Sequence, residues 1–127
     1  MPEFSFKKGE RLAGKKNISS LFQTGRSFTA FPLRLIFHQV ETGTYPAVVA
    51  ISVPKRLFKN AVDRNLLKRR IREAYRQEKP EFYARLKERQ VTLQLVFQYQ
   101  HREILDYHTI KEGLIKGMDQ LLSQINE

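Results

Sequence analysis

The chain contains neither cysteine nor tryptophan in its 127 residues. The missing thiols exclude a disulfide framework, thiolate metal sites and a cysteine nucleophile, and they suit a reducing, cytoplasmic setting. Histidine is scarce as well. His38, His101 and His108 are the only three, and their spacing makes no metal-binding pair. No apolar run approaches the roughly 18 residues that span a bilayer, and the opening MPEFSFKKGE lacks the apolar core of a secretory signal. Internal repeats and low-complexity tracts are also missing. A chain of this length with 41% hydrophobic residues is expected to form one domain, residues 1–127, around a small core.

Acids are the most unevenly distributed shortage. Residues 1–76 hold 16 Lys and Arg against five acids, whereas residues 77–127 hold seven against eight. A basic half and a neutral half within one small domain imply one face turned toward a polyanion. A membrane surface is the weaker choice, because the apolar side of the basic segment is narrow and suits a protein core.

The positive charge concentrates between Lys55 and Arg76, KRLFKNAVDRNLLKRRIREAYR. This stretch carries nine cations against Asp63 and Glu73 alone, or +7 of the formal +10. Asn60 fits a helix N-cap, and Asp63 complements the positive end of the dipole. At about 100° per residue, Leu67, Ile71 and Ala74 share an inward face. Asn65, Lys68, Arg69, Arg72 and Arg76 share another, with Arg64 at its border and Arg70 on the side of Asp63. The result is a cationic stripe roughly 15–20 Å long, enough to follow several phosphates. A solubility face would interleave acids at i,i+4 spacing, and this stripe has none.

The rest of the chain predicts alternating helices and strands. Residues 1–16 are expected to be basic and irregular. Asn17 opens a short helix to Thr24, with Gly25 as its stop and Ile18, Leu21 and Phe22 on its apolar side. Residues 31–40 alternate as a strand, and Tyr45–Val53 forms a nearly continuous apolar run, expected as a central strand covered on both faces. The basic helix is expected to break at Pro80, with a second helical segment from there to about Arg89. Val91–Tyr99 is another strand. Thr109–Glu112 is expected as the capping box of a last helix, whose stripe is Ile110, Leu114, Met118, Leu121, Leu122 and Ile125. The fold class is an α/β arrangement, a two-layer α+β sandwich with a small mixed sheet.

Lys59, Ala61, Val62, Arg64, Asn65, Lys68, Arg69, Arg72 and Glu73 fill every fixed position of K-x-A-V-x-R-N-x-x-K-R-x-x-R-E. This pattern resembles the signature of the protein subunit of bacterial ribonuclease P, and the similarity extends from about Phe6 to Ile125. The resemblance implies three strands before the basic helix, giving the order α-β-β-(β)-α-β-α, with the signature helix in a left-handed crossover. It implies binding of a catalytic RNA, with the chemistry of removing the precursor-tRNA 5′ leader done by that RNA and its Mg²⁺. It places Arg64, Asn65, Lys68, Arg69 and Arg72 against the RNA. Lys55, Arg56, Lys59 and Arg76 lie beside them on the loop and stripe. It also implies a leader-binding cleft between the first helix and the sheet. Phe22 matches one aromatic of that cleft and Ile18 falls at another. The strand aromatic falls at Ile36 or Phe37, and Ser52 lies at the strand end nearby. Neither a membrane nor a protein partner is implied.

Other readings fit less well. A protein-borne nuclease needs an acid–base pair or a carboxylate metal cluster. His38 and His108 could serve only if the fold brought them together. Asp63 and Glu73 stand about 15 Å apart on a helix, among cations. A helix-turn-helix needs a preceding helix where this chain has a strand. A structural RNA-binding protein or RNA chaperone shares the basic helix but requires no leader cleft.

Overall fold

The computed structural model describes residue 10 and residues 15–41 and 45–125. Its elements are α1 (Lys15–Thr24), β1 (Arg26–Ala30), β2 (Leu33–Val40), β3 (Ala47–Ser52), α2 (Ala61–Glu88), β4 (Thr92–Tyr99) and α3 (Tyr107–Gln124). The four strands form one sheet in the order β1-β2-β4-β3. β1 with β2 and β2 with β4 are antiparallel, whereas β3 and β4 are parallel and are joined through α2. The order matches the expected α-β-β-β-α-β-α sandwich.

Alternation along the strands builds two unequal cores. Leu33, Leu35 and Phe37 of β2, Leu93, Leu95, Phe97 and Tyr99 of β4, and Ala47 and Val49 of β3 face the major core. α2 covers them with Leu67, Ile71, Ala74, Tyr75, Phe82 and Leu86, and α3 with Ile110, Leu114, Met118, Leu121 and Leu122. On the other face a smaller cluster joins Leu21 of α1 to Ile36 and Val96.

Several expectations are corrected. The helix beginning in the basic stretch does not break at Pro80 but runs as one element to Glu88. A proline in a helix interior costs about 3 kcal/mol. Burial of Phe82 and Leu86 just beyond it, at about 1.5–3 kcal/mol per side chain, offsets that cost. β3 is an edge strand rather than a central one; β2 and β4 hold the interior positions. The apolar run at β3 reports two covered faces, which says nothing about hydrogen-bonded neighbours on both sides. Residues 31–40 also divide, since Phe31 and Pro32 form the turn between β1 and β2 and are joined by a cis peptide bond. The α3 cap is Asp106, whose carboxylate accepts from the Thr109 amide at 2.8 Å, so Thr109 lies inside the helix. That hydrogen bonding holds the Asp106 carboxyl below its ordinary pKa. Glu112 instead meets His108 at 2.7 Å.

α1 begins at Lys15, inside the segment expected to be irregular. Glu10 is buried, and the remainder of residues 1–14 lies outside the described residues. The Glu10 carboxylate accepts from Lys79 Nζ at 2.9 and 3.1 Å and from the Tyr83 hydroxyl. Tyr83 also lies 3.2 Å from the Ala47 carbonyl oxygen, which links this group to the start of β3. Burial pushes the Tyr75 and Tyr83 phenols well above their ordinary pKa, which keeps both neutral.

α3 approaches the β1–β2 turn through Gly113. A Cβ there would stand 2.2 Å from the Phe31 carbonyl oxygen, so any larger residue forces helix and turn apart.

Removing one partner of a buried ion pair leaves an uncompensated charge, a loss typically of about 3 kcal/mol or more. Glu10→Ala is therefore expected to lower the unfolding free energy by about that amount, measured by urea denaturation followed by circular dichroism. An unchanged midpoint would show that the Glu10–Lys79 contact contributes nothing.

Candidate nucleic-acid interface

The interface begins where β3 ends. After Pro54 the chain turns tightly, with the Leu57 and Phe58 amides both donating to the Pro54 carbonyl at 3.1 and 3.3 Å. Phe58 is buried against Tyr99, its ring 5.8 Å away, and this pins the loop to β4. Lys55, Arg56 and Lys59 remain exposed on either side of that anchor. α2 follows from Ala61. Asn60 occupies the cap position with extended backbone, but its side chain makes no capping hydrogen bond.

The cations of α2 fall into two groups. Lys68, Arg69 and Arg72 have no ion pair or hydrogen bond among the described residues, and Asn65, Arg69 and Arg72 are exposed. With Lys55, Arg56 and Lys59, six cations from one loop–helix unit have no partner among the described residues. A second group is turned to the protein itself. Arg64 donates from one terminal nitrogen to the carbonyls of Phe58 and Lys59 at 2.7 and 2.8 Å. Arg70 donates to the Leu105 carbonyl at 2.6 Å. Arg76 forms a two-point pair with Glu73 at 2.5 and 3.1 Å. The Arg76 guanidinium holds the Glu73 carboxyl below its ordinary pKa, and Glu73 in turn raises that of Arg76. Arg76, expected on the stripe, is thus already engaged within the protein.

The second feature is the sheet face beneath α1. Pairing of Ser27 with Ile36, Ile36 with Val96, and Val96 with Ala50 makes one transverse row. The next row runs Thr29, Arg34, Gln98, Ser52. Ile18 and Phe22 of α1 pack with Val48 and Ala50 around Leu21, Ile36 and Val96, and both are half-buried. An apolar row under the helix therefore adjoins a polar row that leads, through half-buried Ser52, to the cationic loop.

This register settles the choice between Ile36 and Phe37. Ile36 faces α1 and is only 1% exposed, so it forms covered floor. Phe37 points to the opposite face, into the major core, with Phe28 edge-on at 6.0 Å. Phe37 therefore does not face α1, because successive strand residues point to opposite faces. Phe31 is exposed, at the β1–β2 turn, with its ring 5.1 Å from that of His101.

Arg34 and Gln98 were not singled out by motif or charge pattern. Their alternation against Leu33, Leu35, Phe97 and Tyr99 carried the signal. Arg34 donates to Ser27 Oγ at 3.1 Å, and Gln98 accepts from Gln100 at 3.2 Å. His38 shares the α1 face of β2, whereas His108 opens α3 on the other side, so the fold does not join them. Among the described residues, no three His, Asp or Glu side chains cluster to hold a metal ion. No described helix is long and apolar enough to cross a membrane.

A sandwich that exposes cations along one loop–helix junction, beside a sheet face packed under α1, is a basic α+β protein of the nucleic-acid-binding kind. Solved structures share this fold. The ribonuclease P protein of Staphylococcus aureus superposes with a TM-score of 0.71 at 20% identity, over 90% of this chain and 96% of that one. The ribonuclease P protein from Thermotoga maritima gives 0.68 at 22% identity, over 87% and 96%. The family model described as Ribonuclease P matches residues 6–122. A Porphyromonas gingivalis ribonuclease P protein component is 32% identical over 98% of this chain and 91% of its own length. One from Dictyoglomus thermophilum is 34% identical over 89% and 88%. The chain belongs to the ribonuclease P protein family.

Each neutralised phosphate contributes roughly 0.7–0.9 to the slope of log affinity against log salt concentration. Arg69→Ala is expected to weaken binding to a bacterial ribonuclease P RNA and flatten that slope by about one unit, measured by filter binding across a salt series. An unchanged slope and affinity would take Arg69 out of the interface.

Proposed function

We propose that the chain acts as the protein subunit of a ribonuclease P ribonucleoprotein, binding the catalytic RNA with its loop–helix unit and the precursor-tRNA leader with its α1 cleft. Family membership supports the subunit role. The observation that carries the RNA-facing assignment is the set of six cations, Lys55, Arg56, Lys59, Lys68, Arg69 and Arg72, with no partner among the described residues. Guanidinium groups present paired donors to phosphate oxygens, and ammonium groups supply mobile point charges. Asn65, exposed within the stripe, adds a donor and an acceptor suited to a base edge or 2′-hydroxyl.

The protein's part is binding and positioning. Mg²⁺ takes oxygen ligands in near-octahedral geometry. The interface side chains are ammonium and guanidinium groups, which suit phosphate oxygens and offer that ion no ligand atom, and the single Asn65 amide oxygen does not make an octahedral set. In this reading Mg²⁺ is held by the RNA and precursor phosphates, and the chemistry of leader removal belongs to the RNA. The six cations offset the repulsion between two polyanions, which lets catalytic RNA and precursor approach at lower Mg²⁺. The complex works in the cytoplasm, where tRNA precursors are made.

In the cleft, Phe22 supplies an aromatic edge, Ile18 and Ile36 apolar bulk, and Arg34, Gln98 and Ser52 a polar row. Stacking on a ring tolerates any base, which suits leaders of varied sequence. Phe22→Ala is expected to weaken precursor binding to the assembled ribonucleoprotein several-fold and leave mature-tRNA binding unchanged, since each base stacked is worth about 1–3 kcal/mol. Equal loss for both tRNAs would make Phe22 a packing residue.

The defining experiment is precursor-tRNA cleavage at low Mg²⁺ by a bacterial ribonuclease P RNA, with and without this protein. The protein alone is expected to be inert, and added to the RNA it is expected to restore cleavage at the mature 5′ end. Tight RNA binding without that gain would favour a structural RNA-binding role instead.

A further inference from the structure

Arg64 lies at the border of the cationic stripe, yet its geometry differs from that of its exposed neighbours. One terminal nitrogen donates to two successive carbonyls, Phe58 at 2.7 Å and Lys59 at 2.8 Å. These belong to the loop that carries Lys55, Arg56 and Lys59. The side chain reaches back from the first turn of α2 and closes over the junction that Asn60 leaves uncapped. On its β4 side the same junction is held by Phe58, packed against Tyr99. The segment is therefore fixed at two successive residues, by burial at Phe58 and by charge-assisted hydrogen bonds at Phe58 and Lys59. Such bonds are roughly twice as strong as neutral ones. Lys59, whose own carbonyl is gripped, carries its ammonium on backbone that cannot swing freely.

We propose that Arg64 is a positioning residue: it sets the conformation of the Lys55–Lys59 loop so that the loop's cations meet the RNA together with Lys68, Arg69 and Arg72. Electrostatic complementarity depends on where charges stand as well as on how many there are. A free loop would have to be ordered on binding, and that entropy cost lowers affinity. Arg64 removes it in advance. The inference rests on the RNA-facing reading of the loop and stripe.

The test is a double-mutant cycle read by equilibrium binding to a bacterial ribonuclease P RNA. Arg64→Ala is combined with Lys59→Ala and, separately, with Arg56→Ala, each over a salt series. Arg69→Ala serves as the direct-contact control. Circular dichroism establishes that each variant is folded at the assay temperature. If Arg64 acts through the loop, its removal flattens the salt slope by clearly more than the roughly one unit expected of a single lost phosphate contact. Lys59→Ala and Arg56→Ala then cost several-fold less affinity in the Arg64→Ala background than in the wild type. Coupling of this kind is expected only where residues act as a unit. Simple loss of stability would lower the melting temperature without producing it.

Additive losses with a slope change of one unit would overturn the inference and make Arg64 an independent contact. Unchanged affinity in Arg64→Ala would overturn it too. If Arg69→Ala and both loop variants bind like the wild type, the RNA-facing reading fails and the inference falls with it. Should Arg64→Ala not fold, Arg64→Met replaces it in the same cycle. Methionine keeps an unbranched apolar stem and removes every donor, and the same outcomes decide.

Discussion

One packing constraint organises this molecule: α2 must lie across β3 and β4 with a single stripe inward. Leu67, Ile71, Ala74 and Tyr75 are fully buried there, and Phe82 and Leu86 extend the contact along the same helix. At roughly 1.5–3 kcal/mol for each large apolar side chain, this face dominates the energetics of the helix. Charge follows from that placement. Once the stripe is seated, Lys68, Arg69 and Arg72 have no neutralising partner among the described residues, while Arg70 and Arg76 find the Leu105 carbonyl and Glu73. Like charges held side by side repel, and the apolar face supplies the stability that tolerates the repulsion.

The same seating fixes the junction between strand and helix. α2 connects two parallel neighbours, and its first turn follows the end of β3 through the short loop of residues 53–60. The loop's cations and the helix's cations are therefore parts of one surface, and the sheet face under α1 adjoins it through Ser52.

Much of this was legible in the sequence, for identifiable reasons. The inward stripe of α2, the buried face of β4 and the apolar stripe of α3 follow from periodicity, which reports burial directly. The cationic stripe followed from the same arithmetic. What periodicity could not give was pairing. It placed β3 at the centre of the sheet, because two covered faces look alike whether or not a strand has neighbours on both sides. A local rule broke the helix at Pro80, because the compensation comes from Phe82, Leu86 and the Glu10–Lys79 pair, and the partners in that pair stand 69 residues apart. The one-residue choice between Ile36 and Phe37 needed the ladder to Val96 and Leu95. Within the cationic stretch, composition could not separate cations that grip the protein from those left for a partner. Arg64, Arg70 and Arg76 differ from Arg69 and Arg72 only through carbonyls and carboxylates that the fold brings to them.

The position of β4 bears on the order in which the chain can assemble. β2 and β3 follow each other in sequence but do not touch as strands; β4 stands between them and pairs with both. During synthesis the whole of α2, with every cation of the stripe, is made before residues 92–99. Until β4 inserts, β3 has no ladder, and the rows of side chains on the α1 face are not yet joined. Phe58 has no Tyr99 to pack against, so the loop is unanchored on that side. The charged surface is thus complete in composition before it is complete in shape. The last strand to form converts a basic segment attracted to any polyanion into a surface with fixed spacing.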